Sequence, residues 1–392
     1  MPPHRRNSMT SINHEGESKK SDFVIRMRSS APKEEPRKIH ENQDRLDVLY
    51  TVRNALVHYW GGRGLVYSVK NRIYLLGDLA NPRPILLGAI PWRSSQLLCH
   101  ARLADRALKG SILQVHEASN QLLLVCNGHS WWSIEPDGTV GDISPFSKTR
   151  PMSRAICTSA QGMTFIADYI DNKERTEPIR IYRSKNLSSF EVAWEFPPGE
   201  IRHIHALVPD TEDFRRIWIL TGDNDLESRF LFTEDDFGSV RVFLSEGQRT
   251  RSADLIVRDG HLIWGMDAPE ETSFLLSTSK EHPHSIRILR KLPGPAYYMA
   301  RNEAGGVYVG TTSEPGAGVK DRFGHVFGSL PDQRWEEILR RRKDPFPQHG
   351  IFYFPRGIVP GNFLVYSQRA LVPQEGRMIV ALDRAWAQRA PL

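Results

Sequence analysis

From Leu46 onward the chain consists of apolar runs about four to seven residues long, each closed by Gly, Asp, Asn or Pro. This punctuation predicts strands joined by tight turns, and amphipathic helical spacing is nearly absent. One unit recurs, a bulky aliphatic or aromatic strand ending in a small or acidic residue. It stands at 72–78 (RIYLLGD), 122–128, 163–168, 216–223 (RIWILTGD), 261–267, 307–312 and 362–368. The copies fall roughly 40 to 56 residues apart, the length of a four-stranded propeller blade. The expected fold is therefore an all-β propeller of about seven blades. Six is the alternative count, because the copies are degenerate. Residues 155–160, 162–168, 178–184 and 190–196 read as one blade from its inner to its outer strand, and 202–244 repeats the order. Partial blades at both ends of the chain fit a ring closed by strands from the two termini.

Residues 1–44 are rich in Ser, Pro, Lys, Glu and Arg and carry too little apolar surface to offset ordering entropy. A disordered arm is expected there, with the propeller over 45–385 and a short tail over 386–392. Across 392 residues, 40% apolar and 25% charged, the composition excludes collagen, wholesale disorder and a disulfide miniprotein. The net charge is +6, and residues 1–48 hold ten basic and eight acidic side chains of that balance, so the body is only slightly basic. No nucleic-acid-binding tail is implied. Cys99, Cys126 and Cys157 are odd in number and far apart, which argues for buried thiols over a disulfide framework or a zinc ribbon. The longest apolar runs, about five residues, are far short of the roughly 20 that span a bilayer. Arg5 and Arg6 are followed by polar residues and no apolar core, so no secretory signal is expected and a cytoplasmic location is the default.

The turns at 184–190 (SKNLSSF) before Val192 and at 233–240 (TEDDFGSV) before Arg241 resemble the Asp-box of the sialidase-like propellers with BNR repeats. The first has Asn186 and Ser188 at the Asp and Gly places; the second keeps Asp236 and Gly238 but lacks the Trp. In that family the box joins the third and fourth strands on the outside of a blade, so the resemblance implies architecture. It also places propeller glycosidases and polysaccharide lyases among the relatives to weigh. No FRIP motif of the catalytic sialidases occurs.

The inner strand of each blade lines the axial channel, and residues two apart share a face. Arg154, His203, His205, Arg251, Tyr297, Tyr298 and His349 stand on or just before inner strands, where they would converge. His203 and His205 flank Ile204, so alternation aims both imidazoles one way, a pattern suited to a metal or to a base with its partner. The likeness to propeller lyases, which use an HxH pair with further histidines, makes His349 a possible third ligand of a divalent metal ion. Arg154, Arg251, Arg229 and Arg175 are candidates to bind a carboxylate or sulfate bidentately. Glycoside hydrolysis needs two carboxylates. Asp223, Asp225, Asp267 and Glu314 follow second strands on one rim, and Asp267 with Glu314 is the expected pair. In a lyase, arginines would neutralise a uronate while histidine or Tyr298 moves the proton. Trp264 and the Trp131–Trp132 pair are possible stacking platforms, although core packing is the commoner fate of such rings. The chain is thus expected to bind, and to cleave, an acidic oligosaccharide or polysaccharide at the channel mouth. The competing expectation is a non-catalytic propeller scaffold for a protein or glycan partner.

Overall fold

The computed structural model describes residues 45–91, 102–108, 110–128, 130–143 and 153–387. The expected arm over 1–44, Cys99 and the tail beyond 387 lie outside these residues. Seven antiparallel blades form the ring. Blade 1 comprises Ala55–Gly61, Gly64–Val69, Arg72–Leu76 and Ile85–Ala89; blade 2 comprises Gln114–Glu117, Leu123–Cys126, Trp131–Ile134 and Val140–Asp142. Blade 3 runs Ile156–Thr158, Thr164–Ala167, Ile179–Ser184, Glu191–Phe196, and blade 4 runs Ile204–Pro209, Ile217–Thr221, Arg229–Thr233, Arg241–Leu244. Blade 5 is Ile256–Arg258, His261–Gly265, Phe274–Ser279 and Arg287–Lys291; blade 6 is Ala296–Asn302, Val307–Thr311, Phe323–Ser329 and Trp335–Lys343. In blade 7 the inner three strands, Ile351–Tyr353, Phe363–Arg369 and Arg377–Asp383, come from the C-terminal end, and the outer one, Leu46–Arg53, from the N-terminal end.

The second strands are apolar runs because a neighbouring blade covers each face. All five residues of Ile217–Thr221 and of Val307–Thr311 are buried. Outer strands meet water and carry charge, and on blade 3 Arg180 pairs with Glu195 and Arg183 with Glu191. Charged edges of this kind discourage strand addition from other chains. The core is correspondingly divided into seven apolar clusters, one per interface between adjacent blades. Trp218 and Phe230 of blade 4, for example, pack on Leu262 and Trp264 of blade 5.

Closure rests on a continuous ladder from Leu46 opposite Asp383 to Arg53 opposite Arg377. Arg45 locks it, donating from Nε and Nη2 to the two oxygens of the fully buried Asp383 at 2.8 and 2.7 Å. The same guanidinium donates to the Gly328 and Ser329 carbonyls and to Glu336 of blade 6.

The Asp-box-like turns do join third to fourth strands, in blades 3 and 4. In the second, Asp235 accepts from Ser239 N and Oγ and Thr233 Oγ1 accepts from Phe237 N, so the turn closes on its own side chains. Cys126 and Cys157 are both buried, and Cys157 is a free thiol. Among the described residues no helix is long and apolar enough to cross a membrane.

A segment unrelated to the repeat lies inside the ring. After the inner strand of blade 7 the chain crosses the channel: Arg356 bridges Tyr59 of blade 1, and Ile358–Val359 pairs in parallel with Arg301 and Asn302 of blade 6. Arg356 also donates to the Ile156 and Ser153 carbonyls beside blade 3. This crossing, with the Arg154–Asp254 ion pair beside it, separates the two mouths of the channel.

Candidate functional site

At the mouth where inner strands begin, three atoms converge: His203 Nε2, His205 Nε2 and Asp223 Oδ1. The nitrogens stand 2.8 Å apart, and each lies 3.2–3.3 Å from the carboxylate oxygen. Alternation accounts for part of this placement. His203 precedes the inner strand of blade 4, and His205 is an extra residue in it, because the register steps from Ile204 opposite Thr221 to Ala206 opposite Leu220. A bulge re-aims the side chain it carries, here along the channel. Asp223 comes from the turn after the second strand, where Gly222, at a φ of 78°, has no room for a Cβ against Glu227.

Two arginines hold Asp223. Arg202 Nη1 donates to Oδ2 at 2.6 Å; Arg251 Nη2 lies 3.3 Å from Oδ1, and its Nη1 donates to the Asp223 carbonyl. Burial would raise the Asp223 carboxyl, but hydrogen bonds from His203 and His205 outweigh it and hold the group far below the usual carboxylate range. Burial takes His203 down to about 4, so its imidazole is neutral at pH 7. The Tyr169 ring lies over it at 4.4 Å between centroids.

Asp267, after the second strand of blade 5, has the opposite setting. Burial raises it to about 7, against the pull of His205 and Arg251 and with help from Glu314 and Asp223. Its Oδ2 is 3.6 Å from His205 Nδ1, and neither that nitrogen nor Asp267 Oδ1 has a hydrogen-bond partner. His205 therefore stands between an anionic carboxylate and one that titrates near neutrality.

Blade 6 supplies the far side of the mouth. Tyr297, the extra residue in that blade's inner strand, donates to Glu314 at 2.6 Å, and burial raises its phenol well above the ordinary value. His349 is half-exposed, 4.0 Å from Glu314 and apart from the three converging atoms. Glu314 also begins a groove of about 750 Å³ along blade 6 that includes Lys320, Arg322 and Arg342. None of these three cations has a carboxylate within ion-pair distance among the described residues.

The other candidates are placed elsewhere. Tyr298 packs in the core between blades 6 and 7 with the Arg154 guanidinium over its ring, and Arg154 is ion-paired to Asp254 deep in the channel. Trp264 is fully buried, its indole donating to the Arg249 carbonyl, and Trp131 and Trp132 are buried as well. No stacking platform arises from these rings. Arg175 pairs with Glu227 and Arg229 with Glu200, which ties loops on the rim together. Asp225 is exposed. Asp78 and Asp168 cap local backbone, at Ala80 and Arg180 respectively.

Sequence reasoning passed over Tyr169 and Arg202, and it favoured Tyr298 over Tyr297. Arg202 abuts the HxH pair, and Tyr169 follows the same strand end that carries Asp223 one blade later; both signals were available.

By donor type, His203, His205 and Asp223 could hold a divalent ion. A tetrahedral ion at roughly 2.0–2.1 Å would need these atoms moved a few tenths of an ångström apart. It would also displace Arg251 from Asp223 Oδ1, so the two guanidiniums weigh against a cation here.

No family model matches the chain, and no curated protein does. Among solved structures, a catalytically inactive histidine-to-alanine variant of virginiamycin B lyase from Staphylococcus aureus, with quinupristin, is similar over 89% of this chain and 99% of that one. The identity is 8% and the TM-score 0.54. The selenomethionine form of the same lyase scores 0.51 at 9% identity, over 86% of this chain and 99% of that one. The WD40 propeller domain of Doa1 scores 0.49 at 8% identity, over 87% of this chain and 98% of that one. At such identities the likeness to the two lyase structures concerns the fold alone, and together with the ring of seven blades it establishes a β-propeller.

Proposed function

We propose that the chain is an enzyme that cleaves an acidic oligosaccharide by proton transfer at the His203–His205 mouth. The observation that carries this reading is His205 held between Asp223 and Asp267, two carboxyl groups with opposite pKa displacements. Titratable groups pushed apart in one cleft are the usual mark of acid–base work. A ligand displacing the Asp223 contacts of Arg202 and Arg251 would find two guanidiniums suited to an anionic group. The cations along the blade 6 groove would accommodate further anionic residues, which favours an oligomer over a single sugar.

In an elimination, the His203–His205 imidazole pair takes the proton from the carbon beside the substrate carboxylate. The electron pair left behind forms a carbon–carbon double bond and expels the glycosidic oxygen. That oxygen takes a proton from Tyr297, whose hydroxyl is oriented by Glu314. Asp267, in its ionised form beside His205 Nδ1, stabilises the charge that the imidazole gains. A solved propeller of similar shape, virginiamycin B lyase, loses activity when a histidine is replaced, which is compatible with histidine chemistry on this scaffold.

Mass spectrometry of uronate-rich and sialylated glycans incubated with the protein tests the reading. An unsaturated end is expected, lost in His205→Ala and reduced about 100-fold or more in Tyr297→Phe. Arg322→Ala should raise KM for long substrates and leave short ones unchanged. Products carrying added water would replace elimination with hydrolysis. Activity lost on chelation and restored by a divalent ion would favour the metal reading of the His203, His205 and Asp223 atoms. Binding without any product would make the propeller a scaffold.

A further inference from the structure

The opposite mouth holds a cavity of about 310 Å³, walled largely by aliphatic side chains such as Leu207, Ile256, Met299 and Ile358. Three arginines enter it. Arg154 is answered by Asp254 at 2.8 Å, whereas Arg301 and Arg356 have no carboxylate within ion-pair distance among the described residues. Arg301 donates to the Val257 carbonyl, and Arg356 to the Ile156 and Ser153 carbonyls. Their hydrogen bonds are partly met, and their charge is answered only from beyond ion-pair distance, by Glu212, Asp259 and Asp210 for Arg301 and by Asp254 for Arg356. Burial, with Arg154 nearby, lowers Arg356 only to about 10, so it stays cationic at neutral pH. His116, beside Arg356, is held neutral by burial and by that same guanidinium, and therefore adds no charge.

An apolar chamber with two guanidiniums that lack an ion-pair partner has a specific complement. Buried charge without a direct ion pair is costly, and an anionic head group would relieve it, while the aliphatic walls gain from covering a hydrocarbon body. The volume lies at the lower end of the range typical of small-molecule sites. We propose that this chamber binds a small organic anion with an apolar body, a carboxylate of medium chain length being the simplest member. The channel-crossing segment with Arg356 separates it from the His203–His205 mouth, so the site is distinct from the one assigned to catalysis and does not depend on that assignment.

Isothermal titration with sodium decanoate, 1-decanol and sodium acetate tests it on the full chain. Decanoate is expected to bind once per chain, with the alcohol and acetate each weaker by about tenfold or more, the factor set by one charge-assisted contact or by the hydrocarbon body. Arg301→Gln, at a partly exposed position that should leave the fold intact, is expected to weaken decanoate by about tenfold, and His205→Ala to leave it unchanged. Arg356→Gln should act like Arg301→Gln; if it does not fold, Arg301→Gln decides alone. Failure of decanoate to bind, equal binding of decanol, or an Arg301→Gln variant that binds as the parent does would overturn the proposal. Decanoate binding abolished in His205→Ala would move the ligand to the other mouth and overturn it equally.

Discussion

Asp267 carries a buried carboxyl with one oxygen unpartnered, and its consequences for stability have a definite sign. In the unfolded chain it titrates near the ordinary carboxylate value, but in the folded state at about 7. Between those values the native state holds the extra proton, so this group's contribution to stability is complete below about pH 4, falls as pH rises to about 7, and is level above. Asp223 acts the other way, stabilising above the ordinary carboxylate range and losing that contribution as pH falls below it. Replacing Asp267 with Asn removes the first effect alone. Asp267→Asn is expected to exceed the parent in stability at pH 8 by about 2–4 kcal/mol, the cost of holding a carboxyl raised to about 7 ionised in the interior, which an equally polar but uncharged amide does not incur. The advantage should shrink toward pH 4. Denaturant titrations at several pH values measure this, and an unchanged difference across that range would contradict the assigned ionisation. At the site, the same variant should flatten any rise of rate through about pH 7.

At the scale of strands, two devices organise the molecule: bulges in inner strands and the shared seventh blade. The inner strands of blades 1, 4 and 6 each carry an extra residue, His58, His205 and Tyr297. Two of the three face the candidate site. Ring closure is the second device, and Asp383 is its most sensitive point, since it also accepts from the Tyr308 hydroxyl at 2.8 Å. Asp383→Ala leaves the Arg45 guanidinium buried without its charge partner, and a loss of about 3–5 kcal/mol is expected. Pairing it with Arg45→Met should recover part of that loss, and calorimetric melting of the three variants distinguishes a charge effect from simple loss of packing. These elements also show why the sequence was readable in some places and opaque in others. Repetition made the blades legible, and their number to within one, because copies of one apolar strand leave little freedom in topology while their degeneracy leaves six and seven both open. His203, His205, Arg251 and Asp267 were legible because they recur at equivalent ends of successive strands. Tyr297 and Tyr298 could not be told apart from sequence, because the bulge at Tyr297 interrupts the two-residue alternation that would have assigned their faces. The channel-crossing segment around Arg356 was invisible, since it belongs to no repeat and its partners lie on three different blades.

Taken as a whole molecule, the propeller has a channel stopped from within, and this divides function between its two ends. One mouth gathers His203, His205, Asp223 and Asp267; the other is apolar with Arg301 and Arg356. Between them stand Arg356 and the Arg154–Asp254 pair, hydrogen-bonded to the Met299 backbone on both its N–H and its carbonyl. The pair is well packed and its polar contacts are met, so it gives neither mouth an alternative arrangement to impose on the other. Coupling requires an element with two states that both ligands bias, and the described residues of the channel include no such element. The two ends are accordingly expected to behave independently. In a double-mutant cycle with His205→Ala and Arg301→Gln, the effects on stability should add to within about 0.5 kcal/mol. Decanoate at saturation should leave glycan turnover unchanged within a factor of about two, against the roughly fivefold or greater change typical of allosteric coupling. A larger change in either measurement would show that the Arg154–Asp254–Arg356 layer moves between states, and would make the lower chamber a regulatory site for the upper one.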